Sequence, residues 1–436
     1  MKVSPSGIAL LPLLLFVALF FGAGVYFTYR GEPNGFYILH APVAIIPALA
    51  VAAWWARRRG VDVGRALYGG MGDANIMLMC LIFLLAGGFA AVTRAIGGVD
   101  AVVALGVGHL SPSLILPGLF VTAALISLAT GSSMSTLAAL APIALGIAEA
   151  AGISPALGVA SAVGGAMFGD NLSVISDTTI AATRTQGAEM KDKFRENFKI
   201  ALPAAVLTIV LLALQPGTSQ PPEVSGSASP WLVLPYALVL LLAVLGVNVL
   251  VVLGFGIVAA GLIGALYASN GYGIEEWMND IWTGFSGMSE IVLLSMLVGG
   301  LAGLMRASGG LAWISARIAR LARGKSGRRS GELSIAGLSA ATDVFIANNT
   351  VAILVSGPLA RDIASQHGVS PRRAASILDI YSCVVQGLIP WGAQILLAAS
   401  QSGQSPLEIA GKVWYCWLLG GIALGFMLWP RRAAAG

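Results

Sequence analysis

The stretch FGDNLSVISDTTIAATRTQG, residues 168–187, gathers two carboxylates and a run of hydroxyls. Asp170 and Asp177 stand there with Asn171, Ser173, Ser176 and Thr178. Oxygen ligands of these kinds suit hard cations such as Na+. A carboxylate among them can hold a cation, or a proton once the cation has left. A second polar stretch, ATGSSMSTLA (129–138), adds Ser133, Ser135 and Thr136. A third, ATDVFIANNTVA (341–352), adds Asp343, Asn348, Asn349 and Thr350. A fourth, VQGLIPWGAQ (385–394), is interrupted by Pro390, and Asp379 precedes it in the otherwise neutral SILDIYS. Each acid also has a structural reading. SDTT has the form of a helix N-cap, with Ser176 or Asp177 capping the next turn. Asp343 and Asp379 could serve as polar packing groups.

The elements that must position these residues are apolar. Of 436 residues, 57% are hydrophobic and 10% charged, against about 25% charged in soluble domains. Such a chain could not keep its surface wet, and it reads as a polytopic membrane protein. Uncharged apolar runs occupy 7–28, 202–214, 231–270, 291–305 and 414–430. Crossing the hydrocarbon core takes about 20 helical residues, so the shorter runs imply kinked or broken segments. The 55 glycines fit close helix approach and helix breaks. Polar backbone at membrane depth is tolerated only where protein or a water-filled cavity satisfies it. An acid at that depth is costly and points to function. The first run is long for a signal-peptide core and lacks a small-x-small cleavage site, so it reads as a membrane helix.

The chain repeats itself. LLAGGFAAVTRAIGG (84–98) aligns with MLVGGLAGLMRASGG (296–310), placing Arg94 on Arg306, 212 positions on. SLAT (127–130) meets SAAT (339–342) at the same offset. After a small insertion GISP (152–155) meets GVSP (368–371), and Pro142 meets Pro358, 216 positions on. Several matches in one register are the signature of an internal repeat.

Charge gives the halves opposite orientation. Residues 99–113 contain no Lys or Arg, whereas 311–332 contain Arg317, Arg320, Arg323, Lys325, Arg328 and Arg329. The first half follows Arg57–Arg59 and ends in KDKFRENFK (191–199); the second follows the acidic GIEEWMND (273–280) and ends in SQSGQSPLE (400–408). By the positive-inside rule the basic members face the cytoplasm and their partners the outside. The chain then divides into an N-terminal transmembrane hairpin (1–60), a first repeat (61–199), connecting transmembrane segments (200–271), a second repeat (272–405), and a C-terminal transmembrane helix and tail (406–436). Both termini and Gly324–Ser330 are expected inside, and the 216–230 loop outside. Inverted repeats are a signature of secondary transporters, whose site lies near the midplane where broken helices meet.

Other residues carry less. Arg94 and Arg306 each end an apolar run, either snorkelling to the interface or facing an anion. Asp73, Glu290, His40, His109 and His367 read as interfacial or surface groups. Trp391 either packs or lines a cavity. Cys80, Cys383 and Cys416 form no metal or redox motif. There is no phosphate loop for ATP, and no nucleophile–base or metal constellation that would mark an enzyme. The net charge of +5 lies in short loops, which is no nucleic-acid signal.

GDNLSVISDTT (169–179) resembles the GDxxSPxSDTT signature of the NhaC-type Na+/H+ antiporter family, part of a superfamily of inverted-repeat ion transporters. LIPW (388–391) is similar to that family's Ile-Pro-Trp element. The likeness runs over nearly the whole chain. Two positions depart: the signature proline is Val174, and the family's second acidic stretch appears as LDIYSCVVQG (378–387), keeping only Asp379. The resemblance implies an all-α scaffold of two inverted repeats with broken helices and re-entrant hairpins, and Na+-linked transport in the cell inner membrane. It also points to a sub-branch with candidate carriers of amino acids or organic anions.

The expected mechanism is Na+/H+ antiport by alternating access. One or both of Asp170 and Asp177 would bind Na+ and H+ in turn, with Asn171, Ser173, Ser176, Thr178, Asn348, Asn349 and Thr350 completing an oxygen cage. The alternative is Na+- or H+-coupled transport of an amino acid or small carboxylate, held by helix N-termini at the hairpin tips and by the hydroxyls Ser133, Ser135 and Thr136. Asp343 and Asp379 are further candidates. No cofactor is expected beyond the transported Na+ and H+. The expected partners are membrane lipid and the cargo, with a second copy of the chain as a candidate and no nucleic acid.

Overall fold

The computed structural model describes residues 4–30, 38–98, 100–101, 112–173, 176–215, 229–245, 247–268, 271–323 and 327–428. The expected external loop over 216–228, Val174, residues 324–326 and the basic tail at Arg431 and Arg432 lie outside the described residues.

The protein is an all-α polytopic membrane protein built of two inverted-topology repeats with broken helices and re-entrant hairpins. The first half runs α1 (Leu11–Tyr29), α2 (Ala41–Arg58), α3 (Val63–Met71), α4 (Ala74–Ala95), α5 (Pro112–Thr130), α6 (Ser133–Ala150), α7 (Pro155–Leu172), α8 (Asp177–Gln186) and α9 (Met190–Ala213). The second runs α10 (Leu234–Val244), α11 (Val249–Tyr267), α12 (Ile274–Gly287), α13 (Ser289–Ala307), α14 (Gly310–Arg323), α15 (Arg328–Ile346), α16 (Asn349–His367), α17 (Pro371–Gln386), α18 (Ala393–Ser402), α19 (Pro406–Lys412) and α20 (Trp414–Leu428). Among the described residues, seven helical stretches are long and apolar enough to cross a bilayer, and α19 with α20, bent by 50°, would make an eighth. Of the helices on either side of the breaks, α5 and α6 are among the seven, and α7, α8, α15, α16, α17 and α18 are not.

The breaks have local causes. Between α5 and α6 the chain turns through Gly131 at φ 68°, and Ser132 caps α6 by accepting from the Ser135 amide at 3.2 Å. Between α15 and α16 it turns through Ala347 at φ 55°, and Asn348 caps α16 by accepting from the Val351 amide at 3.0 Å. A cap removes one of the orphan donors that a helix start leaves. The second break lies at residues 173–176 between α7 and α8, and at 387–392 between α17 and α18. Pro155 and Pro371 open α7 and α17 at the first helical turn, where a missing N–H costs nothing.

Two contacts locate the symmetry axis. The Cys80 thiol lies 3.8 Å from the Val292 carbonyl oxygen, its own equivalent 212 positions on. The Cys383 thiol lies 3.4 Å from the carbonyl oxygen of Met167, separated by 216 positions. In a two-fold arrangement a position touches its equivalent only at the axis. Around that axis the halves exchange helices: α3 packs on α13, and α12 packs on α4. Glycines permit the approach, since a Cβ on Gly70 would run into the Gly299 carbonyl and one on Gly284 into that of Gly87. Likewise α2 packs on α13 and α11 on α4. The hairpin expected over 1–60 and the connector expected over 200–271 therefore occupy matching places in the two halves.

The centre of the molecule is α7. Every residue from Ala156 to Met167 is buried, and most are small. A helix apolar on all sides belongs in an interior. Its packing against α5 is tight enough that a Cβ on Gly165 would strike the Phe120 carbonyl. Ser127 Oγ donates to the Ala166 carbonyl at 2.6 Å. The matching bond in the second half, Ser339 Oγ to the Leu378 carbonyl, is 2.8 Å. This carries Asp170, near the end of α7, into the interior.

Candidate cation site

The four breaks converge on a cavity of about 240 Å³. Asp170 lies in its wall and is 6% exposed. Its Oδ2 accepts from Ser133 Oγ at 2.7 Å and its Oδ1 from Ser176 Oγ at 2.6 Å. Ser176 Oγ is also 2.7 Å from Thr178 Oγ1. From the second repeat, Gln394 Nε2 donates to Ser133 Oγ at 3.0 Å. Gln386 Nε2 donates to Gln394 Oε1 at 2.9 Å and to the Ala347 carbonyl at 3.3 Å. One carboxylate in the first repeat is thus tied by a chain of hydroxyl and amide groups to both breaks of the second.

The structure divides the expected site residues into three groups. Asp170, Ser133, Ser135, Ser176, Asp177, Thr178, Asn348, Asn349 and Thr350 all line the cavity. Asp177 is exposed there, as the first residue of α8. Ser176 occupies the N-cap position of α8 but makes no side-chain capping bond; its hydroxyl serves Asp170 instead. Asn348 and Asn349 spend an oxygen on the start of α16, Asn349 accepting from the Thr350 amide at 2.9 Å.

Asn171 and Asp379 form a second group. Asp379 is 1% exposed and its Oδ2 lies 2.6 Å from Lys193 Nζ. The same oxygen accepts from Asn171 Nδ2 at 2.9 Å and from Asn197 Nδ2 at 2.8 Å. Lys193 Nζ also donates to the Asn171 carbonyl at 2.8 Å and to Thr179 Oγ1 at 2.7 Å. Asn171, expected in the oxygen cage, and Asp379, a further candidate, meet each other away from the cavity: successive side chains on α7 point to different faces, so Asp170 reaches the cavity while Asn171 reaches the ion pair.

The remaining three stand apart. Thr136 Oγ1 donates to the Ser132 carbonyl at 2.9 Å, and the Ser173 carbonyl accepts from Thr179 Oγ1 at 2.7 Å; neither residue lines the cavity. Asp343 is fully buried on α15, with no hydrogen-bond partner for either carboxyl oxygen among the described residues, and it too lies outside the cavity wall. Trp391 packs, its Nε1 donating to the Val344 carbonyl at 3.0 Å. His40 pairs with Glu290 at 3.0 Å in an exposed contact.

Sequence reasoning missed Lys193, Asn197, Thr179, Gln386 and Gln394. The glutamines had a signal, since they stand 216 positions after Asp170 and Thr178. Lys193 had one too: it shares a helical stripe with Asn197, Ile200, Ala204 and Thr208, all buried.

A second cavity of about 230 Å³ abuts the first through Asn348. Arg65, Arg306 and Asp73 line it, and neither arginine pairs with an acid among the described residues. Arg94 lines neither cavity.

A sequence model of the Na+/H+ antiporter family matches residues 62–215 and 224–429. The chain is 24% identical over 397 residues to the Na+/H+ antiporter NhaC of Bacillus subtilis (strain 168), covering 84% of this chain and 86% of that protein. It is 25% identical over 402 residues to the NhaC antiporter of Alkalihalophilus pseudofirmus, covering 85% of each. The malate-2H+/Na+-lactate antiporter of B. subtilis is 21% identical over 387 residues, with 81% of each covered. Among solved structures, the Alcanivorax borkumensis YdaH transporter aligns with 97% of this chain and 98% of its own, at 13% identity and a TM-score of 0.42.

Proposed function

The chain belongs to the Na+/H+ antiporter family, and on that premise we propose that it exchanges Na+ for H+ at Asp170 by alternating access. The observation that carries this is one buried carboxylate at a helix break, with both oxygens held by hydroxyls and in front of it a cavity lined in part by hydroxyl and amide side chains. A hydroxyl is both donor and acceptor. Ser133 and Ser176 point their hydrogens at the carboxylate. When Na+ arrives they rotate, and the same two oxygens become ligands beside Asp170. A proton on Asp170 and Na+ then exclude one another, which is the condition for exchange. Asp177, exposed in the same cavity, attracts the cation on its way in.

The protein sits in the cell inner membrane, with both termini on the cytoplasmic side. Arg59 reaches back to the Ser4 backbone, and Ser6 bonds the Gly309 carbonyl beside Arg306. Ser4, Ser6 and these basic residues therefore share one end, as the positive-inside rule asks of a cytoplasmic face.

A second reading has its own observation. The two arginines of the neighbouring cavity, with Asn348 as the common wall, suit an organic carboxylate that moves with the cation, and one relative is named for malate and lactate. Purified protein in proteoliposomes tests both. Simple exchange requires Na+-driven proton flux without organic solute, with an apparent KM for Na+ that rises with proton concentration at a constant maximal rate. Flux that appears only when malate, lactate or an amino acid is added would replace it by the second reading.

A further inference from the structure

We propose that the ammonium of Lys193 is a tethered cation that permanently fills a second cation site beside Asp170. It rests on the preceding reading only in calling the Asp170 site the exchangeable one. Lys193 is 1% exposed; among the described residues the other buried basic side chain is Arg373, which pairs with Glu332 at 3.2 Å. Its Nζ meets three oxygens of three kinds. These are the Asp379 carboxylate at 2.6 Å, the Asn171 carbonyl at 2.8 Å and the Thr179 hydroxyl at 2.7 Å. An ammonium has three donors, and all three are used. Carboxylate, carbonyl and hydroxyl are also the ligand set that a hard metal cation takes.

The position explains why a cation is wanted there. Asn171 is in the last turn of α7, where carbonyls lose their helical partners and the helix dipole is negative. Thr179 Oγ1 accepts from Lys193 and donates to the Ser173 carbonyl, so one positive charge organises both sides of the break at 173–176. Asp379 comes from α17 in the other repeat, so the same charge bridges the halves. Asp170, one residue before Asn171, has the complementary arrangement: two hydroxyls, a cavity and no fixed countercharge within bonding distance. Of two neighbouring carboxylates, one owns its cation and the other must take it from solution. A purely structural role explains this poorly, because a buried ion pair is seldom more stabilising than a well-packed apolar pair.

The test removes the tether and keeps the cage. Lys193→Ala leaves the Asp379, Asn171 and Thr179 oxygens around a space the size of an ammonium. Purified in detergent, this variant should unfold at a lower temperature than wild type in choline chloride. Methylammonium or Na+ at equal ionic strength should restore it saturably, by about 5 °C at a hundred times the dissociation constant. Wild type should show no methylammonium response, and Lys193→Ala/Asp379→Leu should have lost it. If Lys193→Ala is recovered as folded protein only in Na+ or methylammonium, the proposal stands. Equal stability in all three salts would overturn it. So would failure of Lys193→Ala in every salt while the double variant folds, or a methylammonium response in wild type. The methylammonium readings decide, because Na+ could also stabilise through Asp170; they do not depend on whether wild type exchanges Na+ for H+, so the two proposals fail separately.

Discussion

At the end of α7 stands Asp170; 216 positions on, at the end of α17, stands Gln386. Both lie just before a break, and both reach the same cavity. The carboxylate accepts two hydroxyl hydrogens, whereas the amide donates to Gln394 and to the Ala347 carbonyl. The paired positions Ser133 and Asn349, and Thr178 and Gln394, show the same contrast of hydroxyl against amide. A repeated scaffold thus carries the ionisable group on one side and neutral, geometry-holding groups on the other. The physical advantage is electrostatic. A buried carboxylate in place of Gln386 would repel Asp170, while amides opposite let Asp170 change its occupant without a buried like charge facing it; Asp177, in the same cavity, is exposed.

The largest expected effect tests that division. Asp170→Asn should reduce Na+-dependent proton flux to background in proteoliposomes while the protein still inserts, because an amide cannot trade a proton for a cation. Gln386→Leu should leave exchange present but impaired, since it removes a tether and not the exchanging group. Equal loss in the two variants would end the asymmetry argued here.

Smaller effects sharpen it. A hydrogen bond to a charged group is worth about 1.5–3 kcal/mol, so Ser133→Ala and Ser176→Ala should each shift apparent Na+ or proton affinity by roughly ten- to a hundredfold. Thr136→Ala, whose hydroxyl is spent on the Ser132 carbonyl, should not. Asp177→Asn removes an exposed charge worth up to about 1 kcal/mol. It should raise the apparent KM for Na+ by roughly fivefold and leave the maximal rate nearly unchanged.

The smallest effect concerns backbone. Gly131 and Ala347 make the same left-handed turn, but only alanine has a Cβ to strain it. Gly131→Ala should lower stability by about 1 kcal/mol, and Ala347→Gly should produce a smaller gain, because glycine also frees the unfolded chain. Thermal unfolding in detergent reads both, and the exchange rate should follow neither.

Much of this arrangement was written locally. Apolar runs, the Gly–Ser and Ala–Asn breaks, Pro155 and Pro371 at helix starts, and the matching registers of the two halves follow from spacing, capping and propensity over a few residues. Those same features brought Asp170, its hydroxyls and Asn348–Thr350 to notice. Tertiary packing alone decided how the acids were apportioned. Asp170, Asp343 and Asp379 all lie in apolar surroundings in the sequence, yet one faces a cavity, one is sealed in α15 with no hydrogen-bond partner among the described residues, and one meets a lysine. Lys193 sits in a run of charges that reads as a solvated loop, and it is buried only because α9 presents that stripe to α7 and α17. Hydrogen-bond reach is about 3 Å, while Ser133 and Gln394 stand 261 positions apart in the chain. Spacing along the sequence settles which side of one helix a residue takes; which partner waits there depends on helices packed from the other half.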